Sequence, residues 1–271
     1  MTMANLPTSD EFARILARAA SAAASVLFAL SPETSHVEHK SDGSPVSAAD
    51  RAADAAAKRQ LAVLAPGIPV VSEETVHEGD PGPLFVLLDP LDGTREFLAG
   101  GRHFCVCAAL VCNGVAIAGA IAAPMLGRLW SAGQTAFVET LHRGRQLAAE
   151  RAPIHVRERL DCGPVALVSR YHCDSETERK IARLDASTRT EMSSAIKFGM
   201  IAEGRADLTI RTGPTMEWDV AAGDAILRAA GGQLRTLTGE RLTYGRWQEG
   251  YRNPPFAAAG SQTLLERAIG A

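Results

Sequence analysis

Apolar residues recur at helical spacing in two stretches near the start of the chain. Residues 11–30 are rich in alanine, but charged residues interrupt them, which predicts an amphipathic helix rather than a membrane span. We expect this helix to begin at a cap formed by Ser9 or Asp10 and to end before Pro32. A second helix is predicted over residues 47–64, where a Pro-Gly pair follows.

Short apolar runs predict strands, and two of these runs lead directly into acidic residues. Residues 68–71 precede Ser72-Glu-Glu74, and residues 84–88 precede Asp89-Pro-Leu-Asp-Gly-Thr94. The runs at 104–112 and 115–122 are joined by Asn113-Gly114, a strong hairpin signal. Further strands are predicted at 128–131, 135–139, 165–169, 208–211 and 256–259, and further helices at 175–185, 194–203, 220–230 and from 261.

The region 143–161 is polar and irregular, which makes it a plausible seam between two halves of the chain. We therefore expect an N-terminal half, residues 1–150, that carries most of the acidic motifs. A C-terminal half, residues 151–271, would complete the site.

Overall charge gives little indication of function. Lys and Arg total 28 against 31 Asp and Glu, a net charge of −3 over 271 residues, so a nucleic-acid polymer is not an expected partner. At 46% hydrophobic and 22% charged residues, the chain has the composition of an ordinary globular protein. Aromatic residues make up only 5%, so an aromatic platform for a base cannot be assumed, and Tyr171 and Trp218 are among the few rings near the motifs.

Three of the five cysteines lie close together in the sequence. Cys105, Cys107 and Cys112 look at first like a metal cluster, but they belong to a continuous apolar run and are predicted to be small buried strand residues. Without a disulfide framework or a secretory signal, the expected location is the reducing cytoplasm.

The segment Asp89–Thr94 carries the strongest chemical signal. Pro90 stiffens the turn, so Asp89 and Asp92 can face one point beside the carbonyl of Leu91. Gly93 permits close backbone approach, and the free amides that follow could hold an anion. Such a set of oxygen donors suits Mg²⁺, although the same sequence could simply form an Asx turn leading into a cap.

Other acidic residues leave two interpretations open. Glu73 and Glu74 end the neighbouring strand but cannot both point the same way on extended backbone. Asp219 lies at the start of a predicted helix and Asp50 lies three residues after Ser47, so either could be an ordinary capping residue or part of the acidic site.

Taken together, these motifs resemble the inositol monophosphatase superfamily of Mg²⁺-dependent, lithium-sensitive phosphomonoesterases. The matching segments are Glu73-Glu74, Asp89-Pro-Leu-Asp-Gly-Thr94 and Trp218-Asp-Val-Ala-Ala-Gly223, in the family's order and spacing. Local features favour the CysQ branch, the 3′(2′),5′-bisphosphate nucleotidases of sulfur metabolism. These features are Lys40-Ser-Asp-Gly-Ser-Pro-Val46, Asp92-Gly-Thr-Arg-Glu-Phe97, Val168-Ser-Arg-Tyr-His172, and Ser194-Ala-Ile-Lys-Phe-Gly199 followed by Ala202-Glu-Gly204. Tyr171 and Met192 depart from the usual pattern of that branch.

The resemblance implies an α+β fold, a layered α/β/α/β/α sandwich of the type shared with fructose-1,6-bisphosphatase. It implies two or three Mg²⁺ ions, which activate water and stabilise the departing oxygen in this type of chemistry. The implied metal ligands are Glu73, Asp89, the Leu91 carbonyl, Asp92 and Asp219. The implied substrate contacts are Glu73, Leu91, Asp92, Gly93, Thr94, Ser194, Lys197 and Asp219, and Arg170 is added as a candidate for the second phosphate.

The catalytic roles are expected to fall on Glu73, Asp92 and Thr94, with Glu73 orienting a water and Thr94 as its hydrogen-bond partner. Lys40, Asp50 and Glu74 are candidates for a further metal contact or for support of the ligands. Lys197 and Arg170 would bind the second phosphate of a bisphosphate, although Arg170 could equally be a solvated surface charge.

The implied reaction is removal of the 3′-phosphate from 3′-phosphoadenosine 5′-phosphate to give AMP, with 3′-phosphoadenosine 5′-phosphosulfate as a further candidate substrate. An inositol monophosphate or another sugar phosphate is the alternative within the same chemistry. A non-catalytic sensor on the same fold is the alternative of a different class, disfavoured because every expected acidic ligand position is filled. A homodimer is compatible with the resemblance. The apolar hairpin around Asn113-Gly114 would offer a surface for it, and burial in a core would explain this hairpin equally well.

Overall fold

In the described part of the chain, two main β-sheets alternate with three layers of helices. The computed structural model describes residues 8–30, 37–39, 45–76, 79–157 and 163–271. The helices are α1 (Ser9–Ala29), α2 (Ala48–Leu64), α3 (Thr94–Leu98), α4 (Ser175–Ala182), α5 (Ile196–Ala202), α6 (Glu217–Ala229) and α7 (Gln262–Gly270). The strands are β1 (Val37–His39), β2 (Pro45–Ser47), β3 (Val70–Ser72), β4 (Leu84–Asp92), β5 (Cys105–Cys112), β6 (Val115–Ala123), β7 (Arg128–Ala132), β8 (Ala136–His142), β9 (Arg145–Pro153), β10 (Val165–Val168), β11 (Thr188–Glu191), β12 (Leu208–Arg211), β13 (Thr215–Met216), β14 (Gln233–Thr236), β15 (Arg252–Asn253) and β16 (Phe256–Ala259).

The larger sheet has seven strands in the order β3-β4-β5-β6-β7-β8-β9. Strands β3 and β4 are parallel, and the remaining neighbours are antiparallel. The smaller sheet has the order β11-β10-β12-β16-β14. Two-stranded pairs, β1-β2 and β13-β15, complete the described topology.

Three hydrophobic cores hold the layers together and confirm the predicted α/β/α/β/α sandwich. Helices α1 and α2 pack on one face of the larger sheet, α5 and α6 lie between the two sheets, and α4 and α7 cover the smaller sheet. Strand β4 is buried on both faces, because Phe85 and Leu87 join the central core while Val86 and Leu88 face α1 and α2. This two-sided burial explains why β4 appears in the sequence as a continuous apolar run.

The N-cap of helix α1 lies one residue before the earlier of the two predicted caps, Ser9 and Asp10. Thr8 is its N-cap, and its hydroxyl accepts the Glu11 amide while Glu11 accepts the Thr8 amide. The helix is the one described segment long and apolar enough to cross a membrane, but about half of it is buried against the larger sheet, as in the core helix of a globular domain.

The predicted hairpin forms, with Asn113 and Gly114 both at positive φ in the turn. Its strands are buried in the two cores of the larger sheet, so burial in a core explains their apolar character.

The region 143–161 was expected to be irregular, and this prediction was wrong over its first part. Strand β9 (Arg145–Pro153) pairs antiparallel with β8 at the edge of the larger sheet. An edge strand has one hydrogen-bonded neighbour and tolerates polar residues, so the apolar pattern that marks central strands is weak here. The same reasoning applies to β11 (Thr188–Glu191), an exposed edge strand that was not predicted.

The two sheets are formed by consecutive parts of the chain, with β9 as the last strand of the larger sheet and β10 as the first of the smaller. Helices α5 and α6 nevertheless share one core with both sheets. The division into residues 1–150 and 151–271 remains a prediction about chain organisation.

Candidate active site

The acidic segment lies where β4 ends beside the start of β5. Asp89 pairs with Cys107 and Asp92 pairs with Cys105, and the register shifts between these two positions. The shift leaves Pro90 and Leu91 bulged out of the ladder, which lets both carboxylates lie at one end of the sheet. Asp89 is buried and accepts the Leu91 amide at 2.9 Å, so the turn is held by its own carboxylate.

Gly93 turns the chain from β4 into α3. Its φ of +98° lies in the left-handed region, and a Cβ there would lie 3.3 Å from the His103 carbonyl oxygen. Glycine therefore allows the turn to pack closely against the segment before β5. The amides of Gly93 and Thr94 follow directly on the two aspartates.

Glu73 and Glu74 form a tight turn after β3, and α2 holds this turn in place. The Ser72 hydroxyl donates to Asp54 of α2, and Lys58 of α2 binds both Asp54 and the Thr75 hydroxyl. The Glu73 amide donates to the Leu88 carbonyl at 3.1 Å, one residue before Asp89. The turn is therefore fixed on the helix side and on the strand side.

Asp219 approaches from the opposite half of the chain. It lies in the first turn of α6, where its Oδ2 accepts the Met216 amide at 2.8 Å. It is also within electrostatic reach of Asp92 and Glu73. Both interpretations of Asp219 therefore apply: it satisfies a backbone donor at the helix start and it faces the acidic cluster.

Burial raises the pKa of the three aspartates, and neighbouring carboxylates add to the shift for Asp89 and Asp219. Burial raises the pKa of Asp89 well above its usual range, and the charges of Glu73, Asp92 and Asp219 add to the effect. Burial, Asp92 and Glu73 likewise raise the pKa of Asp219. Burial also raises the pKa of Asp92, although nearby Lys197 opposes this shift. Such a cluster is costly unless cations neutralise it.

Thr94 links the acidic segment to α2. Its hydroxyl lies 3.2 Å from both the Asp50 carboxylate and the Leu91 carbonyl, and it can donate to one of them at a time. Asp50 is buried in the first turn of α2, and its contact with Thr94 connects it to the acidic segment. Glu74 is half-buried beside Glu73. Lys40, predicted as a further metal contact or support, lies outside the described residues.

A strained turn before α5 contacts Asp92 directly. Ser194 has a φ of +65°, and the next residue, Ala195, donates its amide to Asp92 Oδ2. Helix α5 consequently starts at Ile196 rather than at Ser194 as predicted. A serine in the left-handed region is uncommon and frequently marks a functional turn.

Lys197 and Arg211 place positive charge beside this turn. Lys197 donates to the Ser194 carbonyl at 2.6 Å, and burial lowers its pKa to about 8. Arg211 ends β12 and donates to the carbonyls of His172 and Pro214, while its Nε is buried without a hydrogen-bond partner among the described residues. Both cations are within electrostatic reach of Asp92 and Asp219.

Arg170 pairs with a buried carboxylate that the sequence analysis had left without a role. Its Nη1 lies 2.9 and 3.0 Å from the two Glu96 oxygens. Glu96, on α3, also accepts the Ser193 hydroxyl at 3.0 Å. Arg170 is therefore not an idle surface charge: the pair joins the 170–172 segment and the turn before α5 to the acidic segment.

The two rings near the motifs differ in exposure. Trp218 is buried and packs against Tyr251, with ring centroids 5.9 Å apart. Tyr171 is 40% exposed and follows Arg170 directly. Of these two rings, only Tyr171 has a face that a ligand could reach.

Sequence reasoning missed Glu96, Ser193 and Arg211. Glu96 and Ser193 are polar residues whose partners lie about a hundred positions away, so no local spacing reveals them. Arg211 did carry a signal, because it is a charged residue at the end of an otherwise buried strand.

The donor set fits Mg²⁺. Carboxylates of Glu73, Asp89, Asp92 and Asp219 gather beside the Leu91 carbonyl, and all of these donors are the hard oxygen atoms that Mg²⁺ prefers. The raised pKa of the buried aspartates is the second sign, because repulsion of this kind is relieved by a bound dication.

Comparison with known proteins identifies a family and several relatives of this chain. The profile of the inositol monophosphatase family matches residues 8–269. The 3′(2′),5′-bisphosphate nucleotidase CysQ of Shigella flexneri is 37% identical over 227 residues, covering 81% of this chain and 87% of that protein. The Escherichia coli (strain K12) protein of the same name is 36% identical over 227 residues, with the same coverage.

Solved structures agree with the fold. CysQ from Bacteroides thetaiotaomicron, described as a bacterial member of the inositol monophosphatase family, superposes with a TM-score of 0.75 at 30% identity, covering 93% of this chain and 98% of that one. The suppressor protein SuhB from Bartonella henselae has a TM-score of 0.76 at 24% identity, covering 94% and 97%, and supports the fold alone. With its profile match, its CysQ relatives and its layered fold, this chain belongs to the inositol monophosphatase family.

Proposed function

We propose that this chain is a Mg²⁺-dependent 3′(2′),5′-bisphosphate nucleotidase that converts 3′-phosphoadenosine 5′-phosphate into AMP and phosphate. One observation carries the proposal: a cluster of four carboxylates directly adjoins a cluster of cationic side chains. The acidic cluster suits a phosphate that arrives with Mg²⁺, and the cationic cluster suits a second phosphate. The CysQ relatives, at 36–37% identity, support the same substrate class.

The proposed metal ligands are Glu73, Asp89, Asp92, Asp219 and the Leu91 carbonyl. Bound Mg²⁺ would supply a nucleophile at neutral pH and stabilise the departing oxygen. Two dications balance four carboxylates, and a third would leave a positive surplus for the phosphate.

The chain's own residues would orient the reactants. Glu73 would accept a hydrogen bond from the attacking water, and Thr94 would support this arrangement from the other side of the acidic segment. The amides of Gly93 and Thr94 would hold phosphate oxygens where negative charge develops. Asp50 would hold Thr94 in position, and Glu74 would support the neighbouring Glu73.

The second phosphate would bind at the cationic cluster. Lys197 and Arg211 would supply its charge, and Ser194 would contribute its hydroxyl or backbone. After pairing with Glu96 through Nη1, Arg170 has donors without a partner among the described residues, and these would add a further contact. A substrate with one phosphate would leave this cluster unpaired.

The proposal also covers cellular location and oligomeric state. A cytoplasmic location is proposed because the four described cysteines are free thiols. A homodimer is proposed from the family resemblance.

Replacement of Lys197 tests the proposal at its most specific point. We expect Lys197→Ala to raise KM for 3′-phosphoadenosine 5′-phosphate by about tenfold or more, because it removes a charge-assisted contact worth about 1.5–3 kcal/mol. KM for 3′-AMP, which lacks the second phosphate, should change much less. Lys180→Ala is the matched control, since Lys180 of α4 donates to the Ala271 carbonyl. An equal rise for both substrates would contradict the role of Lys197.

A further inference from the structure

Two thiols lie directly against the proposed Mg²⁺ ligands. Cys105 and Cys107 are two residues apart on β5, so their side chains point to the same face of the sheet. Both are fully buried, and their Sγ atoms are 3.8 Å apart. Cys105 Sγ is 3.9 Å from Asp92 Oδ2, and the three atoms lie within 4.8 Å of one another.

The distance between the two sulfur atoms matches that of a tetrahedral metal site. At the usual Zn–S distance of about 2.3 Å, a tetrahedral ion holds two sulfur atoms about 3.8 Å apart. A carboxylate oxygen on the same ion would lie about 3.5 Å from each sulfur, a few tenths of an ångström closer than Asp92 Oδ2 is to Cys105. Asp92 Oδ2 would complete the set by moving closer to both sulfur atoms, which lie within 4.8 Å of it.

A disulfide is the other chemistry open to two close thiols, and the strand disfavours it. Residues i and i+2 of a strand have Cα atoms about 6.6–6.8 Å apart, at the upper limit for a disulfide. Their side chains also run parallel instead of converging. The pair is therefore better placed to chelate an ion between its sulfur atoms than to form a bond.

The geometry points to a site for a thiophilic divalent cation, such as Zn²⁺ or Cd²⁺, formed by Cys105, Cys107 and Asp92. Thiolates select such ions, whereas Mg²⁺ keeps to the oxygen donors. Two sulfur–metal bonds form as the two thiol protons leave to the solvent buffer. The cation would enter from the side of Asp92, which is partly exposed, as are Gly93 and Ser194.

Occupation of this site would inhibit the phosphatase, and this part rests on the proposed function. Asp92 would belong to both sites, so a soft cation would draw it away from Mg²⁺. The bound cation would also place positive charge beside Asp89, the neighbour of Cys107 in the ladder. Millimolar Mg²⁺ and traces of a soft cation would therefore compete for one carboxylate.

Binding is tested first, without reference to activity. Metal-free protein is titrated with Cd²⁺, and the ultraviolet charge-transfer absorbance of Cd–thiolate bonds is recorded. We expect about one Cd²⁺ per chain with this absorbance, lost in Cys105→Ser/Cys107→Ser. It should be kept in Cys112→Ser/Cys173→Ser, which removes the two partly exposed described thiols. Absorbance that persists in the first variant, or is absent from the wild type, would overturn the site.

Inhibition is tested second, relative to each variant's own uninhibited rate. The Cd²⁺ concentration for half-inhibition should be about tenfold or more higher in Cys105→Ser/Cys107→Ser than in the wild type. In the wild type, this concentration should fall as the Mg²⁺ concentration is lowered, because the two ions compete for Asp92. Ca²⁺ is the matched ion, because it prefers oxygen and should inhibit both chains equally. If the double variant does not fold, Cys105→Ala and Cys107→Ala singly carry both tests.

The two proposals fail in different ways. Cd–thiolate absorbance with no phosphatase activity on any substrate would contradict the proposed function and keep the site. Absorbance accompanied by equal inhibition of wild type and double variant would overturn the competition for Asp92.

Discussion

The carboxylates around Asp89 repel one another unless a cation lies among them. Because burial and its neighbours raise the pKa of Asp89 in the folded chain, the folded state holds this proton more tightly than the unfolded state. The stability associated with this group is therefore present at low pH and is lost as pH rises through the raised pKa. Bound Mg²⁺ would restore it at neutral and alkaline pH.

Substitution of Asp89 by asparagine separates these effects, because Asn keeps the oxygen that accepts the Leu91 amide. We expect metal-free Asp89→Asn to melt at least about 2 °C above the metal-free wild type at about pH 8, with a smaller difference at about pH 5. Saturating Mg²⁺ should reverse the order at about pH 8. The value of kcat/KM should fall by about 100-fold or more.

Melting curves with and without Mg²⁺ at the two pH values, together with phosphate-release kinetics, check this prediction. An Mg²⁺-induced rise in Tm that is the same in wild type and Asp89→Asn would show that Asp89 is not a ligand.

Tyr171 is the exposed ring beside the proposed second-phosphate site. We expect Tyr171→Ala to raise KM for 3′-phosphoadenosine 5′-phosphate by about 5-fold or more, because stacking on a base is worth about 1–3 kcal/mol. Tyr171→Phe keeps the ring and should behave like the wild type. The measurement is KM for the nucleotide and for inositol 1-phosphate, which has no base. A loss in Tyr171→Phe equal to that in Tyr171→Ala would assign the effect to the hydroxyl and contradict stacking.

The contacts of individual residues could be predicted from the sequence only where the residues lie in one short motif. Asp89 and Asp92 are three positions apart on a strand end, so their convergence could be predicted from the turn. Arg170 and Glu96 are 74 positions apart, and their ion pair depends on how two distant segments pack. The same holds for Cys105: its burial was predicted, but its contact with Asp92 arises from the β4–β5 register.

Among the elements, α2 acts as the support for the Glu73–Glu74 turn. Ser72, at the end of β3, donates its hydroxyl to Asp54, and the same carboxylate binds Lys58. This chain of contacts crosses from the outer helical layer to the end of the sheet. The position of Glu73 is therefore set by a helix that provides none of the proposed metal ligands.

Removal of the Ser72 hydroxyl should loosen this turn. We expect Ser72→Ala to raise the Mg²⁺ concentration for half-maximal activity by about 10-fold, as for the loss of a group that orients a metal ligand. It should also cost about 1–3 kcal/mol of unfolding free energy. Ser131→Ala is the matched control, because Ser131 is a buried strand serine that contacts Glu139 at 3.4 Å.

Mg²⁺ titration of activity and denaturant unfolding are measured on both serine variants. A shift in Mg²⁺ dependence that is as large in Ser131→Ala as in Ser72→Ala would show that general destabilisation, and not the turn, is responsible.

Central elements were predictable, whereas edge elements were not. Strand β4 and the β5–β6 hairpin are buried on both faces, so their apolar runs and the Asn-Gly turn identify them. Strand β11 is exposed along its whole length, and tertiary pairing with β10 alone makes it a strand. The start of α5 was displaced because Ser194 adopts a positive φ, which no local propensity indicates.

For the molecule as a whole, the proposed site forms where layers from different parts of the chain meet. The larger sheet contributes Asp89 and Asp92, the central helices contribute Lys197 and Asp219, and the smaller sheet contributes Arg211. The net charge of −3 conceals this separation of acidic and basic clusters. The fold class could be predicted because the motifs resemble those of a family. The basic cluster could not be predicted, because only the packing of the layers brings Lys197 and Arg211 together.

The central claim is the pairing of Mg²⁺-dependent phosphatase chemistry with a second-phosphate site. Phosphate release should be measured with and without Mg²⁺ on 3′-phosphoadenosine 5′-phosphate, 3′-AMP, inositol 1-phosphate and fructose 1,6-bisphosphate. We predict Mg²⁺-dependent turnover with kcat/KM at least about tenfold higher for 3′-phosphoadenosine 5′-phosphate, equivalent to about 1.4 kcal/mol of extra transition-state stabilisation. Preference for inositol 1-phosphate or fructose 1,6-bisphosphate, or no Mg²⁺-dependent turnover of any of the four, would contradict the account.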